Sequence, residues 1–212
     1  MNTTKKELLY NIGGVSRASK MPCSSWSLSA YWCKNGAKLN KIKNSSCFGC
    51  YALTGNYKRF EKSTLKSYQK KLDAYNNNSK LFELSFIEYL NKFNRSNYFR
   101  WFDSGDIQSY KMLLSIVKIA KNTPSIKHWL PTKEYKLISR YKKEFKNFPK
   151  NLCVRVSAPM LDSKIKGYKN TSSVVKNSNL KSNCNAYKQA GKCLNCRLCW
   201  NKSIANITYK YH

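Results

Sequence analysis

A chain of 212 residues with 42% hydrophobic and 14% aromatic content can build one sizeable domain, or one domain with a small appendage, and this composition excludes a disordered polymer. Forty Lys and Arg face ten Asp and Glu, a formal charge of +30 that calls for a negative partner, nucleic acid first, since basic side chains gain affinity by displacing counterions from phosphates. The plainer alternative is an unselective basic surface inherited from a codon bias toward Lys and Asn.

No apolar run approaches the ~20 residues that span a bilayer. The stretch from Met1 to Tyr10 lacks the apolar segment and cleavage site of a signal peptide. A cytosolic chain is expected. There thiols stay reduced, so nine cysteines, an odd number, point to metal ligation rather than disulfides.

In chain order, residues 1–50 read as irregular, with Gly13-Gly14, Pro22 and cysteines at 23, 33, 47 and 50. From Tyr51 a helical period begins: Tyr57, Phe60, Leu65, Tyr68, Leu72 and Tyr75 share one face until Asn76-Asn77-Asn78 stops the run. A second helix carries Phe82, Phe86, Tyr89, Leu90 and Phe93 on one side, and both stripes read as core packing. Residues 98–102 then read as a strand, Ile107 to Ile119 as a helix, 126–130 as a strand, Leu137 to Phe145 as a helix and 152–156 as a strand. Such a β-α-β-α-β series implies parallel strands with right-handed crossovers, an α/β fold. The pattern leaves open whether the sheet is open or curls into a partial (β/α) barrel. We expect residues 1–162 to form this core and residues 163–212, which contain no acidic residue, to form a small basic, Cys-rich appendage.

The cysteines fall into two groups. Cys33, Cys47 and Cys50 form the first, with a Cys-x-x-Cys pair that brings two thiolates to one centre from a single turn. Three thiolates leave one iron of a [4Fe–4S] cluster open; a fourth ligand makes a closed cluster or a structural zinc. Cys184, Cys193, Cys196 and Cys199 form the second, spaced like ferredoxin-type ligands of a [4Fe–4S] cluster, with zinc as the alternative. Cys23 is a fourth ligand, a reactive thiol or a buried residue. Cys153, in an apolar strand, reads as a small buried hydrophobe.

Polar residues cluster just past the strands: Asp103, Ser104 and Asp106 after the first, Lys133 and Glu134 after the second, Arg155 and Ser157 at the end of the third. Ligands of parallel α/β sheets bind at the carboxyl ends of strands, so these seven should converge on one mouth. The structural alternatives are helix capping by Ser104, Asp106 or Thr132 and an ion pair between Arg155 and Glu134.

Several segments carry a family resemblance. Lys20-Met21-Pro22-Cys23-Ser24-Ser25-Trp26-Ser27-Leu28, Cys47-Phe48-Gly49-Cys50-Tyr51-Ala52 with Gly55-Asn56-Tyr57, Phe99-Arg100-Trp101-Phe102-Asp103-Ser104-Gly105-Asp106, Trp129-Leu130-Pro131-Thr132-Lys133-Glu134 and Cys193-Leu194-Asn195-Cys196-Arg197-Leu198-Cys199-Trp200 resemble the gene-product-88 family of phage and mobile-element proteins. The Cys-x-x-Cys-Tyr-Ala segment is also similar to phage proteins that look like distant radical-SAM enzymes. That likeness implies a partial barrel, with Cys33, Cys47 and Cys50 holding a cluster that binds S-adenosylmethionine and the last four cysteines holding an auxiliary cluster. Thirteen residues between Cys33 and Cys47 depart from the usual spacing of three. The expectation is an iron–sulfur protein that modifies or binds DNA or RNA in a phage-infected or plasmid-bearing cell. A metal-stapled nucleic-acid-binding protein without catalysis, or one that engages a host protein, is the alternative.

Overall fold

The structure is a computed structural model that describes residues 3–177 and 182–211. Six strands form a single sheet: β1 (Ser24–Trp26), β2 (Tyr98–Trp101), β3 (Lys127–Thr132), β4 (Leu152–Ser157), β5 (Thr171–Val175) and β6 (Asn206–Lys210). Every pair is parallel, and the strands lie side by side in chain order. Each crossover therefore steps one place in the same direction.

Seven helices accompany the sheet among the described residues: α1 (Lys5–Asn11), α2 (Lys34–Leu39), α3 (Gly55–Arg59), α4 (Glu61–Asn77), α5 (Ser79–Phe93), α6 (Tyr110–Lys121) and α7 (Tyr135–Phe145). None is long and apolar enough to cross a membrane. The α/β class and the parallel pairing follow the sequence pattern, and the β2–α6–β3–α7–β4 series stands where the periodicity puts it.

Residues 1–50 are less irregular than expected. Thr4 and Glu7 close a capping box over α1, each satisfying the other's backbone N–H. β1 is only three residues of Ser-Ser-Trp, too short for a propensity signal. Its Trp26 is buried between Phe82, Trp101 and Phe102 and donates its indole N–H to the Ile12 carbonyl at 2.9 Å.

The stripe after Tyr51 is also divided. The chain breaks at Phe60 into α3 and α4, and Phe60 is 55% exposed rather than packed; Tyr68 and Tyr75 do enter the core. Residues 163–212 supply β5 and β6 to the same sheet, and the Cys-rich stretch is the connection between those two strands.

One face of the sheet carries Phe99, Trp101, Leu130, Leu152, Val154 and Val156 against α5 and α6. At roughly 1.5–3 kcal/mol for each fully buried large side chain, this layer is the main source of stability. His128 lies within it, fully buried; its Nδ1 accepts from the Trp101 indole at 3.2 Å and its Nε2 lies 2.8 Å from the Thr123 hydroxyl. The opposite face is covered by the β5–β6 connection, where Trp200 packs on Tyr98 and Trp129 and donates to the Phe99 carbonyl at 2.9 Å.

Two cysteine groups on one sheet: the candidate site

The first cysteine group assembles beyond the carboxyl ends of β2 and β3. Cys33 stands at the start of α2, and Cys47 and Cys50 lie in the turns that follow it. A methyl group placed on Gly36 would stand 3.6 Å from the Cys33 Sγ and 3.8 Å from the Cys47 Sγ, so the missing side chain is what leaves space between the two thiols. Cys33 feels Asp106, Cys50, Cys47 and Glu134 electrostatically; burial is the larger influence, and all five raise its pKa. Burial also raises Cys47, while the neighbouring Lys133 ammonium pulls it back down.

The carboxylates hold this arrangement from behind. Asp106 Oδ1 accepts from the Ile107 N–H at 2.8 Å and the Thr132 hydroxyl at 2.7 Å, and Oδ2 accepts from the Lys133 N–H at 2.8 Å. Asp106 thereby ties the end of β2 to the end of β3. Burial pushes its pKa up to about 6 against the pull of these donors. Glu134 grips the cysteine helix, its two carboxylate oxygens accepting from the Asn35 backbone N–H at 3.2 Å and the Asn35 side-chain amide at 3.1 Å.

Asp103 and Ser104 sit in the sharp turn after β2. Phe102 takes a left-handed backbone, φ 52°, and its N–H donates to the Trp26 carbonyl at 2.8 Å. Gly105 also has positive φ, and a Cβ there would stand 2.6 Å from the Leu28 carbonyl oxygen. The turn thus hugs the end of β1, where the Ser27 hydroxyl donates to the Asp103 carboxylate and the Tyr51 hydroxyl to the Asp103 carbonyl. Ser104 is buried, and its side chain faces the Tyr68 hydroxyl. Helix α6 starts only at Tyr110 under a Ser109 cap, so neither Ser104 nor Asp106 caps it.

Arg155 lies elsewhere. It is fully buried beneath the β5–β6 connection, and its guanidinium donates to five carbonyls: Cys199 at 2.9 Å, Thr171 at 3.3 Å, Ile204 at 3.0 Å, Leu198 at 3.1 Å and Asn201 at 2.7 Å. It neither lines the mouth nor pairs with Glu134; it is the post on which the second cysteine loop is hung. Ser157 touches the first group through an intermediary: its carbonyl accepts from the Tyr135 hydroxyl at 3.0 Å, and Tyr135 feels Cys47 and Asp106.

In the second group Cys184, Cys193 and Cys196 lie within electrostatic reach of one another, and Cys199 lies within reach of Cys184. Cys199 contacts the Tyr209 hydroxyl at 3.2 Å. Cys153 is buried in β4, as its apolar setting suggests. All nine thiols are free of disulfides.

Sequence reasoning missed Asn35, Gly36 and Tyr135 at the first group. Asn35 and Gly36 follow Cys33 by two and three residues, so proximity to a candidate ligand was the available signal.

The family model described as Gene product 88 matches residues 2–202. The chain belongs to the gene-product-88 family. No curated protein and no solved structure matches it. The family match spans both cysteine groups, the turn after β2 and the Lys133-Glu134 corner.

The donor set of the first group fits a soft cation. Three thiols and two carboxylates gather in a chain of net charge +30, and their proximity raises the pKa of Cys33. A bound cation reverses that sign and deprotonates the thiols outright. Among the described residues no three His, Cys, Asp or Glu side chains stand at the mutual distances that a bound ion requires, so binding would draw the thiols further inward.

Proposed function

We propose that this gene-product-88 protein is a radical-SAM-like iron–sulfur protein that acts on nucleic acid in the cytoplasm of a host cell. The observation that carries the reading is the gathering of Cys33, Cys47 and Cys50 beside Asp106, Lys133 and Glu134, beyond the carboxyl ends of two parallel strands. We read the chain-order parallel sheet as a partial (β/α) barrel and that end as its mouth.

In this reading Cys33, Cys47 and Cys50 hold a [4Fe–4S] cluster, and Cys184, Cys193, Cys196 and Cys199 hold a second. When bound, a cluster with one open iron supplies one-electron reduction of S-adenosylmethionine. The chain's own residues do the rest. Glu134 and Asn35 fix the helix that bears Cys33, Asp106 locks the ends of β2 and β3 together, and Lys133 offers positive charge beside Cys47 for an anionic ligand group.

The charge balance supports a polyanionic substrate. Among the described residues, ion pairs engage Lys58, Lys92, Lys118 and Arg140, so most of the forty cations remain available to phosphates. A protein reconstituted with iron and sulfide should release 5′-deoxyadenosine from S-adenosylmethionine under a strong reductant, and its DNA or RNA affinity should fall steeply with salt. Reconstituted protein that releases none, while Cys33→Ala binds nucleic acid normally, would establish the rival reading of a non-catalytic, metal-stapled binding protein.

A further inference from the structure

The turn that carries Cys47 is pinned to the connection that follows β4. The Leu161 N–H donates to the Asn44 carbonyl and the Ser46 N–H to the Pro159 carbonyl, both at 2.8 Å. The buried Ser45 hydroxyl accepts from the Cys47 N–H at 3.3 Å and the Phe48 N–H at 3.0 Å. The same connection is tied to the ends of the next two strands. Asp162 donates its N–H to the Val174 carbonyl and accepts from the Lys176 N–H, both at 2.8 Å, and the Tyr211 N–H donates to the Val175 carbonyl at 2.8 Å. Three segments remote in sequence thereby enclose one cleft of about 180 Å³, lined by Lys43, Ser45, Phe48, Leu161, Lys176 and Tyr211. Lys176 and Tyr211 directly follow β5 and β6, so the cleft lies at the same carboxyl ends as the first cysteine group.

Its side chains pair cations with exposed rings. Phe48 is 44% and Tyr211 36% exposed, and the Lys176 ammonium stands 5.0 Å from the centre of the Tyr211 ring. Lys43 and Lys176 are exposed, and among the described residues neither makes an ion pair.

A second, independent observation is where exposure and charge coincide along the chain. Between Glu7 and Glu61 there is no acidic residue, and Tyr31, Phe48, Tyr51 and Phe60 all stand exposed in that stretch, around the cysteines of the first group. After Asp162 there is again no acid, and Lys176 and Tyr211 belong to that second stretch. The cleft is where the two acid-free stretches meet. Sequence-tolerant binding of single strands combines these same parts, a cationic groove for phosphates and aromatic faces for unpaired bases. In a duplex the base faces are covered by their neighbours, so exposed rings gain nothing from it.

We propose that this cleft grips a single strand of nucleic acid beside the first cysteine group, with bases stacked on Phe48 and Tyr211 and phosphates held by Lys43 and Lys176. The proposal rests on the nucleic-acid reading and deepens it by assigning both the form of the substrate and the place where it is held.

Fluorescence anisotropy of the full chain tests this with a short labelled oligonucleotide, as DNA and as RNA, alone and annealed to its complement. The single strand should bind about tenfold more tightly than the duplex at equal salt. Phe48→Leu and Tyr211→Leu keep apolar bulk but remove the flat ring, and each should weaken single-strand binding about tenfold with an unchanged salt slope. Lys43→Ala combined with Lys176→Ala should weaken binding and also lower the slope of log affinity against log salt by about 1.4, the share of two phosphates. Lys121 and Lys150 lie exposed before β3 and β4, at the other end of the sheet, and replacing both by Ala should change single-strand affinity by less than about twofold. Circular dichroism and iron content confirm that each variant is intact, and Tyr211→Leu decides if Phe48→Leu loses iron. Tight, salt-dependent single-strand binding that is indifferent to both ring substitutions, or a duplex bound equally well, would overturn the proposal and leave the nucleic-acid reading standing. Inorganic polyphosphate that competes as well as the strand would reduce the cleft to a plain anion site and also overturn it. No binding of DNA or RNA in any form would overturn the proposal and the nucleic-acid reading together.

Discussion

Glu134 accepts two hydrogen bonds from Asn35, one from its backbone and one from its side chain, and so holds the helix that begins at Cys33 against the end of β3. The Asn35 side-chain amide also donates to the Lys133 carbonyl at 2.8 Å, so three bonds run from Asn35 to the end of β3. The first cysteine group therefore inherits its position from the sheet rather than from its own six-residue helix.

Replacing Glu134 by Gln keeps the shape but leaves one acceptor where two are used. The loss should be about 1–3 kcal/mol, felt locally as roughly tenfold to hundredfold faster amide exchange over residues 34–39. Hydrogen exchange checks this; unchanged protection would mean that the carboxylate does not position α2.

Gly36→Ala separates metal binding from folding. On propensity alone, Ala should stabilise a helical position by up to about 1 kcal/mol. The new methyl would stand 2.9 Å from the Cys33 Cβ and close to two thiols. That contact must be relieved by a shift of Cys33, which offsets the helical gain, so we expect a melting temperature little changed together with a loss of at least tenfold in metal retention at the first group. Equal loss of both would make Gly36 a folding residue only.

Arg155→Met should cost about 3–5 kcal/mol, because the carbonyls of Cys199, Thr171, Ile204, Leu198 and Asn201 lose their shared donor inside the protein. Lys supplies fewer donors and no planar fork, so Arg155→Lys should rescue only part of it. Urea unfolding measures both, and a loss of unfolding free energy under about 1 kcal/mol for Met would refute the post-like role.

Acid sensitivity should trace to His128. Burial lowers its pKa from 6.5 to about 3, so the unfolded chain binds a proton that the folded one refuses. Stability from this residue is complete above pH 6.5 and falls as pH drops toward 3, by about 1.4 kcal/mol per pH unit within that window. His128→Leu should flatten the slope of urea midpoint against pH between 6.5 and 4; an unaltered slope would place the acid sensitivity elsewhere.

The alternation of long apolar periods made α5, α6, α7 and the three central strands legible, because each buries a continuous stripe against the sheet. β1, β5 and β6 were not, since Ser24-Ser25-Trp26, Thr171 to Val175 and Asn206 to Lys210 mix small polar residues with few apolar ones and are held by pairing. The strand-end rule found Asp106, Lys133 and Glu134 beside the first thiols. It misassigned Arg155, whose backbone position at the end of β4 says nothing about which way its side chain turns. Only folding brings the segment carrying Cys23 against the loop carrying Cys193.

The central claim, that the first three cysteines hold an iron–sulfur cluster, is tested most directly by iron, sulfide and zinc analysis of anaerobically purified protein beside its Cys33→Ala/Cys47→Ala/Cys50→Ala variant. The account predicts a brown wild-type protein with iron and sulfide in equal amounts, and a variant that loses a cluster's share of both while remaining folded. A colourless wild-type protein carrying stoichiometric zinc, or iron content indifferent to the three substitutions, would contradict it.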